Sequence, residues 1–283
     1  MALSVFSLPL QPSFKTMFRF ISFGSGSSGN CYLLYTDTDG LMIDCGVGIR
    51  KLKNYFNSFG LKAQKVNNIL ITHDHADHVR SVGSFATKYN IPVYTTKEVY
   101  EGISGNYCVR RKVPFELQHC IEKGKTFELG DFRITPFGVP HDSTDCVGYS
   151  IQLGDIVFSI ITDCGHITDE ITPIITRSNY LVIEANHDPE MLKNGPYPEH
   201  LKQRIAGPCG HLPNNECGEA LAAYATDRLR HIWLCHLSEE NNHPELARKT
   251  VEQILKDKGI SVGDHLKLDV LKRTSPGEIV DLL

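Results

Sequence analysis

Between residues 69 and 78 the chain reads Ile69-Leu-Ile-Thr-His73-Asp-His75-Ala-Asp77-His78: an apolar run, then four potential metal ligands within six residues. Three imidazoles and a carboxylate packed together without a cation would repel or stay unsatisfied. Divalent ions resolve that conflict, because neutral imidazole nitrogens and carboxylate oxygens are their ligands. His73 and His75, two residues apart, can point the same way from extended backbone. Asp77 and His78 fall where the chain turns into a helix and can face a second point nearby. The H-x-H-x-D-H spacing therefore suits two adjacent ions. Given the chain's own His and Asp frequencies, a chance match is on the order of a few in a thousand.

Two ions need more donors, and the sequence offers them after apolar runs. His141 ends Phe-Gly-Val-Pro-His, Asp163 ends Val-Phe-Ser-Ile-Ile-Thr-Asp and His236 ends Ile-Trp-Leu-Cys-His. A carboxylate such as Asp163 can bridge two cations. The donor set suits zinc or manganese, with iron as a further option. His187 is expected to be structural, and His119, His166, His200, His231, His243 and His265 follow no pattern.

The elements that must position these residues alternate along the chain. Strands are predicted at 19–23, 31–35, 41–44, 68–72, 93–95, 132–137, 147–153, 156–162, 180–184 and 232–235. Helices are predicted at 48–59, 78–89, 97–100, 216–229 and 244–258, with Asn214 and Asn215 available to cap the fourth. Strands 147–153 and 156–162 read as a hairpin across Gly154-Asp155. The α/β pattern predicts mixed sheets with helices outside. Residues 187–213, rich in Gly and Pro, are expected to be an irregular excursion or a loop lining a site. No internal repeat is visible.

The chain has 283 residues, 41% apolar and 22% charged, which excludes disordered and fibrous classes. Its net charge of −4 argues against coating nucleic acid through bulk charge. No apolar run approaches the roughly 18–20 residues of a membrane span. Residues 1–16 are expected to be a disordered extension or an upstream start, and 17–283 one hydrolase domain. Nine cysteines without any C-x-x-C pair predict buried thiols and a cytoplasmic location.

These residues resemble the metallo-β-lactamase-fold hydrolases, and the resemblance covers essentially 17–283. It implies an αββα sandwich of two mixed sheets. It implies that His73, His75 and His141 hold one ion, that Asp77, His78 and His236 hold the other, and that Asp163 bridges them. Asp44, in Leu-Met-Ile-Asp-Cys-Gly, matches the family's early aspartate that supports the ligand loop. Within the superfamily, Phe-Gly-Ser-Gly-Ser-Ser-Gly-Asn (23–30), Glu-Ala-Asn-His-Asp (184–188), Gly-Pro-Tyr-Pro (195–198), Gly-His-Leu-Pro-Asn (210–214) and His-Leu-Ser-Glu-Glu-Asn-Asn (236–242) resemble the YycJ/WalJ branch. That branch implies a 5′-to-3′ exonuclease on single-stranded DNA. Pro213 departs from it, since the branch usually has Ser there. The order Glu184, His211, His236 also resembles tRNA 3′-processing endonucleases, and implies His211 as general acid oriented by Glu184.

The implied mechanism is attack on phosphorus by a hydroxide generated at the metal pair, about 3.5–4 Å apart in such sites, with Asp77 helping to orient it. Ser27 and Asn30, in a Gly/Ser loop, and Asn214 are candidate phosphate contacts. Arg50/Lys51/Lys53, Arg110/Arg111/Lys112 and Lys202/Arg204 are candidate basic surfaces, and Tyr107 and Tyr197 candidate base-stacking groups. The competing reading is a hydrolase of small esters, lactones or cyclic phosphodiesters, or an RNA-processing endonuclease, on the same ions. Oligomeric state is left open.

Overall fold

The computed structural model describes residues 17–283, and the segment 1–16, expected to be an extension or upstream start, lies outside them. The first half of the chain supplies β1 (Phe18–Gly24), β2 (Cys31–Tyr35), β3 (Gly40–Ile43), β4 (Asn68–Leu70), β5 (Val93–Thr95) and β6 (Gln118–Cys120). There follow β7 (Phe127–Leu129), β8 (Phe132–Gly138), β9 (Val147–Leu153), β10 (Ile156–Ile161), β11 (Tyr180–Glu184), β12 (His231–Cys235) and β13 (Lys267–Val270). Strand β14 (Val280–Leu282) returns to pair antiparallel with β1. They form two seven-stranded sheets, ordered β14-β1-β2-β3-β4-β5-β6 and β13-β12-β11-β10-β9-β8-β7.

Each sheet changes once from antiparallel to parallel pairing, at β3 in the first and at β10 in the second. Beyond that point the strands run parallel, so their C-terminal ends share one edge, where open α/β sheets collect ligands.

Helices α1 (Ile49–Ser58), α2 (Ala76–Val79), α3 (Val82–Tyr89) and α4 (Lys97–Gly105) come from the first half. The second half adds α5 (Thr172–Arg177), α6 (Pro189–Asn194), α7 (Glu199–Ile205), α8 (Asn214–Tyr224) and α9 (Pro244–Asp257). Alternation along fully buried strands builds the layers. In β2, Cys31, Leu33 and Tyr35 pack in one cluster with Leu52 and Phe56 of α1 and Phe85 of α3. The intervening Tyr32 and Leu34 pack in another with Phe20, Phe158 and Trp233, between the sheets. A third cluster joins Ile232 and Leu234 of β12 to Leu221 of α8 and Val251 and Leu255 of α9. The architecture is the expected αββα sandwich.

Where the elements differ from expectation, tertiary contacts decide. The helix predicted at 78–89 is split, because the Ser81 N–H donates to the Cys45 carbonyl (2.9 Å) instead of continuing the ladder. The helix predicted from 216 begins at Asn214 with Pro213 at its cap position, so neither asparagine caps it. The excursion at 187–213 contains α6 and α7, each too short to show a period. The hairpin across Gly154 forms as read, with Gly154 at φ 58°.

Candidate metal centre and active site

The strand ends deliver the donors to one edge. Asp44 follows β3, His73 follows β4 after two residues, Asp163 follows β10, Glu184 ends β11 and His236 follows β12. Asp44, Asp163 and His236 adopt left-handed backbone, with φ of 58°, 52° and 54°; among the described non-glycine residues only Asn90 joins them. That conformation costs about 1–2 kcal/mol per residue. It persists where surrounding structure over-determines it, which functional sites often do.

All seven candidate ligands converge. Donor atoms of His73, His75 and His141 lie within 4.8 Å of one another, as do those of Asp77, His78 and His236. His75 Nδ1 is 3.2 Å from His141 Nε2, and Asp77 Oδ2 is 3.4 Å from His236 Nε2 and 3.5 Å from His78 Nε2. Asp163 stands between the groups: its Oδ2 is 3.2 Å from His78 Nε2 and its Oδ1 is 3.8 Å from His141 Nε2.

The electrostatics fit divalent ions. His73 is fully buried and its Nε2 has no hydrogen-bond partner, a lone pair aimed at nothing in the protein. Burial, reinforced by His78, holds that ring neutral, as a ligand must be. Burial also lowers the pKa of His141. For Asp163, burial opposes ionisation, but His236 and His78 outweigh it and hold the carboxyl well below its usual range. The same balance holds Asp77 low beside His78 and His236. Burial opposes charge on His78 too, yet the carboxylates of Asp163, Asp44 and Asp77 push it to about 10. His236 is likewise driven well upward by Asp163, Asp77 and Glu184 against its burial. A buried cluster of carboxylates thus recruits positive charge from protons, and divalent cations supply the same charge.

Asp44 organises both groups from beneath. Its carboxylate accepts the Thr72 N–H (2.9 Å), the Thr72 hydroxyl (2.9 Å to Oδ2) and the His78 Nδ1–H (2.7 Å). The Thr72 oxygen in turn accepts the His73 Nδ1–H (3.0 Å). One carboxylate therefore sets the tautomer of a histidine in each group; the Nε2 of His73 has no partner, and that of His78 faces Asp77, Asp163 and the Asn30 amide. Sequence reading missed Thr72, whose type carries no signal outside this chain of bonds.

Glu184 plays the matching part across the site. Fully buried, it accepts backbone N–H bonds from Cys164 (2.7 Å) and Leu212 (3.1 Å) on Oε2, and Nδ1–H bonds from His211 (2.8 Å) and His236 (2.9 Å) on Oε1. Burial opposes its charge, but His211 and His236 pull its pKa to about 2. The Glu184 carboxylate raises His211 in return, against burial.

Ser27, His211, Tyr197, Leu201 and Arg204 line the pocket above Asp77, Asp163 and His236. The excursion 187–213 thus reaches the site through α7. Arg204 grips Asp142, the neighbour of His141, with two guanidinium nitrogens. Two of the three candidate phosphate contacts face elsewhere. Asn30 is fully buried, accepting the Gly26 N–H and pointing its amide at His78 and Asp77. Asn214 is spent on reciprocal bonds with Asn242. With both amide atoms engaged, neither has a group left for substrate, so both are scaffold residues. Ser25 and Asn186 were missed: Ser25 Oγ accepts the His236 N–H (3.0 Å) and Asn186 donates to the His236 carbonyl (2.8 Å), fixing its unusual backbone.

Residues 40–236 match the β-lactamase superfamily domain, and the chain belongs to this family, as a hydrolase of the metallo-β-lactamase fold. A narrower similarity runs through most of its length. It is 35% identical over 253 residues to exodeoxyribonuclease YycJ of Bacillus anthracis, covering 88% of this chain and 94% of that one. It is 36% identical over 251 residues to exodeoxyribonuclease WalJ of Streptococcus pneumoniae, covering 89% and 93%. Among solved structures, zinc-bound PqqB from Methylobacterium extorquens shares the fold at a TM-score of 0.68 and 16% identity, covering 93% and 100%. The fold implies divalent metal ions, and the described residues include His/Asp clusters that could hold them. No described helix is long and apolar enough to cross a membrane.

Proposed function

We propose that this hydrolase is a 5′-to-3′ exonuclease on single-stranded DNA, working in the cytoplasm with two divalent ions, zinc or manganese. The observation that carries the reading is a cluster of seven candidate ligands, four of them lining one pocket, beside a histidine anchored on a buried glutamate. Extended similarity to proteins named exodeoxyribonucleases supports the substrate class.

In this reading residues 17–283 act as one domain. His73, His75 and His141 would hold one ion, Asp77, His78 and His236 the other, with Asp163 between them. Such ions neutralise phosphate charge and acidify water. Asp77 lines the pocket, and in this reading it would orient the attacking water through a hydrogen bond. The Glu184 carboxylate holds the His211 Nδ1–H, which turns the other ring nitrogen to the pocket. That nitrogen carries the proton delivered to the departing sugar oxygen. Ser27, Arg204 and Tyr197 line the pocket; in this reading the first two would contact the phosphate and the tyrosine ring would stack on a terminal base.

Digestion of end-labelled single- and double-stranded DNA with zinc or manganese, beside His75→Ala, tests the reading. The expected result is loss from the 5′ end of single strands, abolished in the variant. Intact DNA from a metal-loaded sample that turns over small esters or cyclic phosphodiesters would overturn it.

A further inference from the structure

A second group of exposed side chains lies outside the pocket. The loop after α4 carries Tyr107 and Phe115, exposed at 92% and 87%, the two most exposed large hydrophobic side chains among the described residues. Between them stand exposed Arg110 and Arg111, which take part in no ion pair among the described residues. Residues 106–115 contain no carboxylate; of the acids on either side, Glu101 is already paired with Lys97 (3.7 Å), and Glu116 follows Phe115.

The loop is rigidly held. Asn106 Oδ1 accepts the Cys108 N–H (2.9 Å), and Lys112 Nζ donates to the carbonyls of Ile103 (2.9 Å) and Asn106 (2.6 Å), closing the loop on itself. Val109 and Val113 are buried in the core. The Arg111 carbonyl presses so closely on Gly83 of α3 that a Cβ there would sit 1.9 Å away. The loop is also tied to the metal centre: Asn106 Nδ2 donates to the carbonyl of Asp74 (2.7 Å), the residue between His73 and His75. Two exposed aromatic rings flanking two unpaired guanidinium groups, on a loop bonded to the backbone between His73 and His75, match the stacking and phosphate chemistry of unpaired nucleic acid.

We propose that the 106–115 loop is an accessory binding surface for single-stranded nucleic acid, engaging the strand beyond the nucleotides held in the pocket. The inference rests on the nucleic-acid reading of that pocket. It predicts a length dependence: contacts here serve long strands and leave a dinucleotide indifferent.

The test compares the full-length metal-loaded protein with Tyr107→Ala/Phe115→Ala and Arg110→Ala/Arg111→Ala on poly-dT and on the thymidine dinucleotide. Loss of stacking should raise KM for poly-dT about 5- to 150-fold per base released, with kcat unchanged. Removing two phosphate contacts should flatten the dependence of log affinity on log salt by about 1.4. Dinucleotide turnover should stay at the wild-type level in both variants, which also shows that they fold. Wild-type KM and salt slope on poly-dT in both variants would overturn the proposal while leaving the nuclease reading intact. Loss of self-association in sedimentation, with DNA kinetics unchanged, would overturn it in favour of a second copy of the chain. A wild-type protein that cleaves neither DNA substrate defeats the underlying reading instead.

Discussion

Replacing Asp44 by asparagine keeps the shape of the side chain and changes only which of its atoms can accept. The backbone tolerates the change, because asparagine is among the residues that take the left-handed conformation Asp44 adopts at φ 58°. The Thr72 N–H can only donate, so the amide oxygen of the variant must stay on that side, 2.9 Å away. The amide nitrogen then occupies the position of Oδ2, 2.7 Å from His78 Nδ1. That ring must expose its Nδ1 lone pair and carry its proton on Nε2, where it cannot bind a cation. His73 escapes, because its Nδ1–H rests on the Thr72 oxygen, and the Thr72 hydroxyl still finds the remaining amide oxygen. Loss of such a supporting carboxylate weakens metal affinity about 10–100-fold. That corresponds to about 1.4–2.7 kcal/mol. The prediction is one-sided: in calorimetric titration with zinc or manganese, Asp44→Asn binds its first ion as the wild type does and its second 10–100-fold more weakly. Equal weakening of both ions, or none, would refute the hydrogen-bond chain from His73 through Thr72 to Asp44.

In Glu184→Gln the two backbone N–H groups claim the amide oxygen, so the NH2 faces the imidazoles of His211 and His236. Two charge-assisted bonds are lost, at about 1.5–3 kcal/mol each. Urea unfolding should show a deficit of about 3–6 kcal/mol, and an unchanged midpoint refutes the role of Glu184 as the shared acceptor. Chelation should lower the melting temperature and re-added ion restore it, since ion at 100 times its Kd contributes about 2.7 kcal/mol; a melting curve indifferent to chelator refutes metal binding in the fold. At Asp163 the strained backbone predicts an inverted order: Asp163→Gly more stable than Asp163→Ala by about 1 kcal/mol in chelated protein. Alanine equal or better refutes the strain. Native protein should expose Cys120 and Cys209 to a thiol reagent, while Cys31, Cys45, Cys146, Cys164, Cys217 and Cys235, all buried, react only on unfolding.

The clustering of the candidate ligands was legible because its signal is chemical and local: H-x-H-x-D-H stands out against any composition. The strand ends that bear Asp163 and His236 were legible because continuous apolar runs mark buried strands. Short edge strands were not: β6, β7, β13 and β14 have at most four residues each and carry exposed positions. Asn30 and Asn214 misled for a physical reason. An asparagine beside glycines or at a helix start suits a phosphate or a cap equally well, and only burial shows that these two brace the scaffold. The basic clusters were equivalent on paper. The structure separates them, putting Arg204 in the pocket and Arg110 and Arg111 exposed on the loop bonded to Asp74.

Neither sheet could make the site alone. The first contributes Asp44, His73 and the loop to His78, the second Asp163, Glu184 and His236. Each set lies just past the point where its sheet turns from antiparallel to parallel pairing. The same strand pattern occurs twice without any repeat in the sequence, because pairing direction is set by connection length and layer packing rather than by residue identity. What sequence must specify is the few residues at the two seams. There the chain accepts left-handed backbone at an aspartate in each sheet and at His236. A glycine would relieve that strain at every one of those positions, and would remove a donor or its support each time. Three of the four left-handed non-glycine positions among the described residues thus carry a candidate donor or its support.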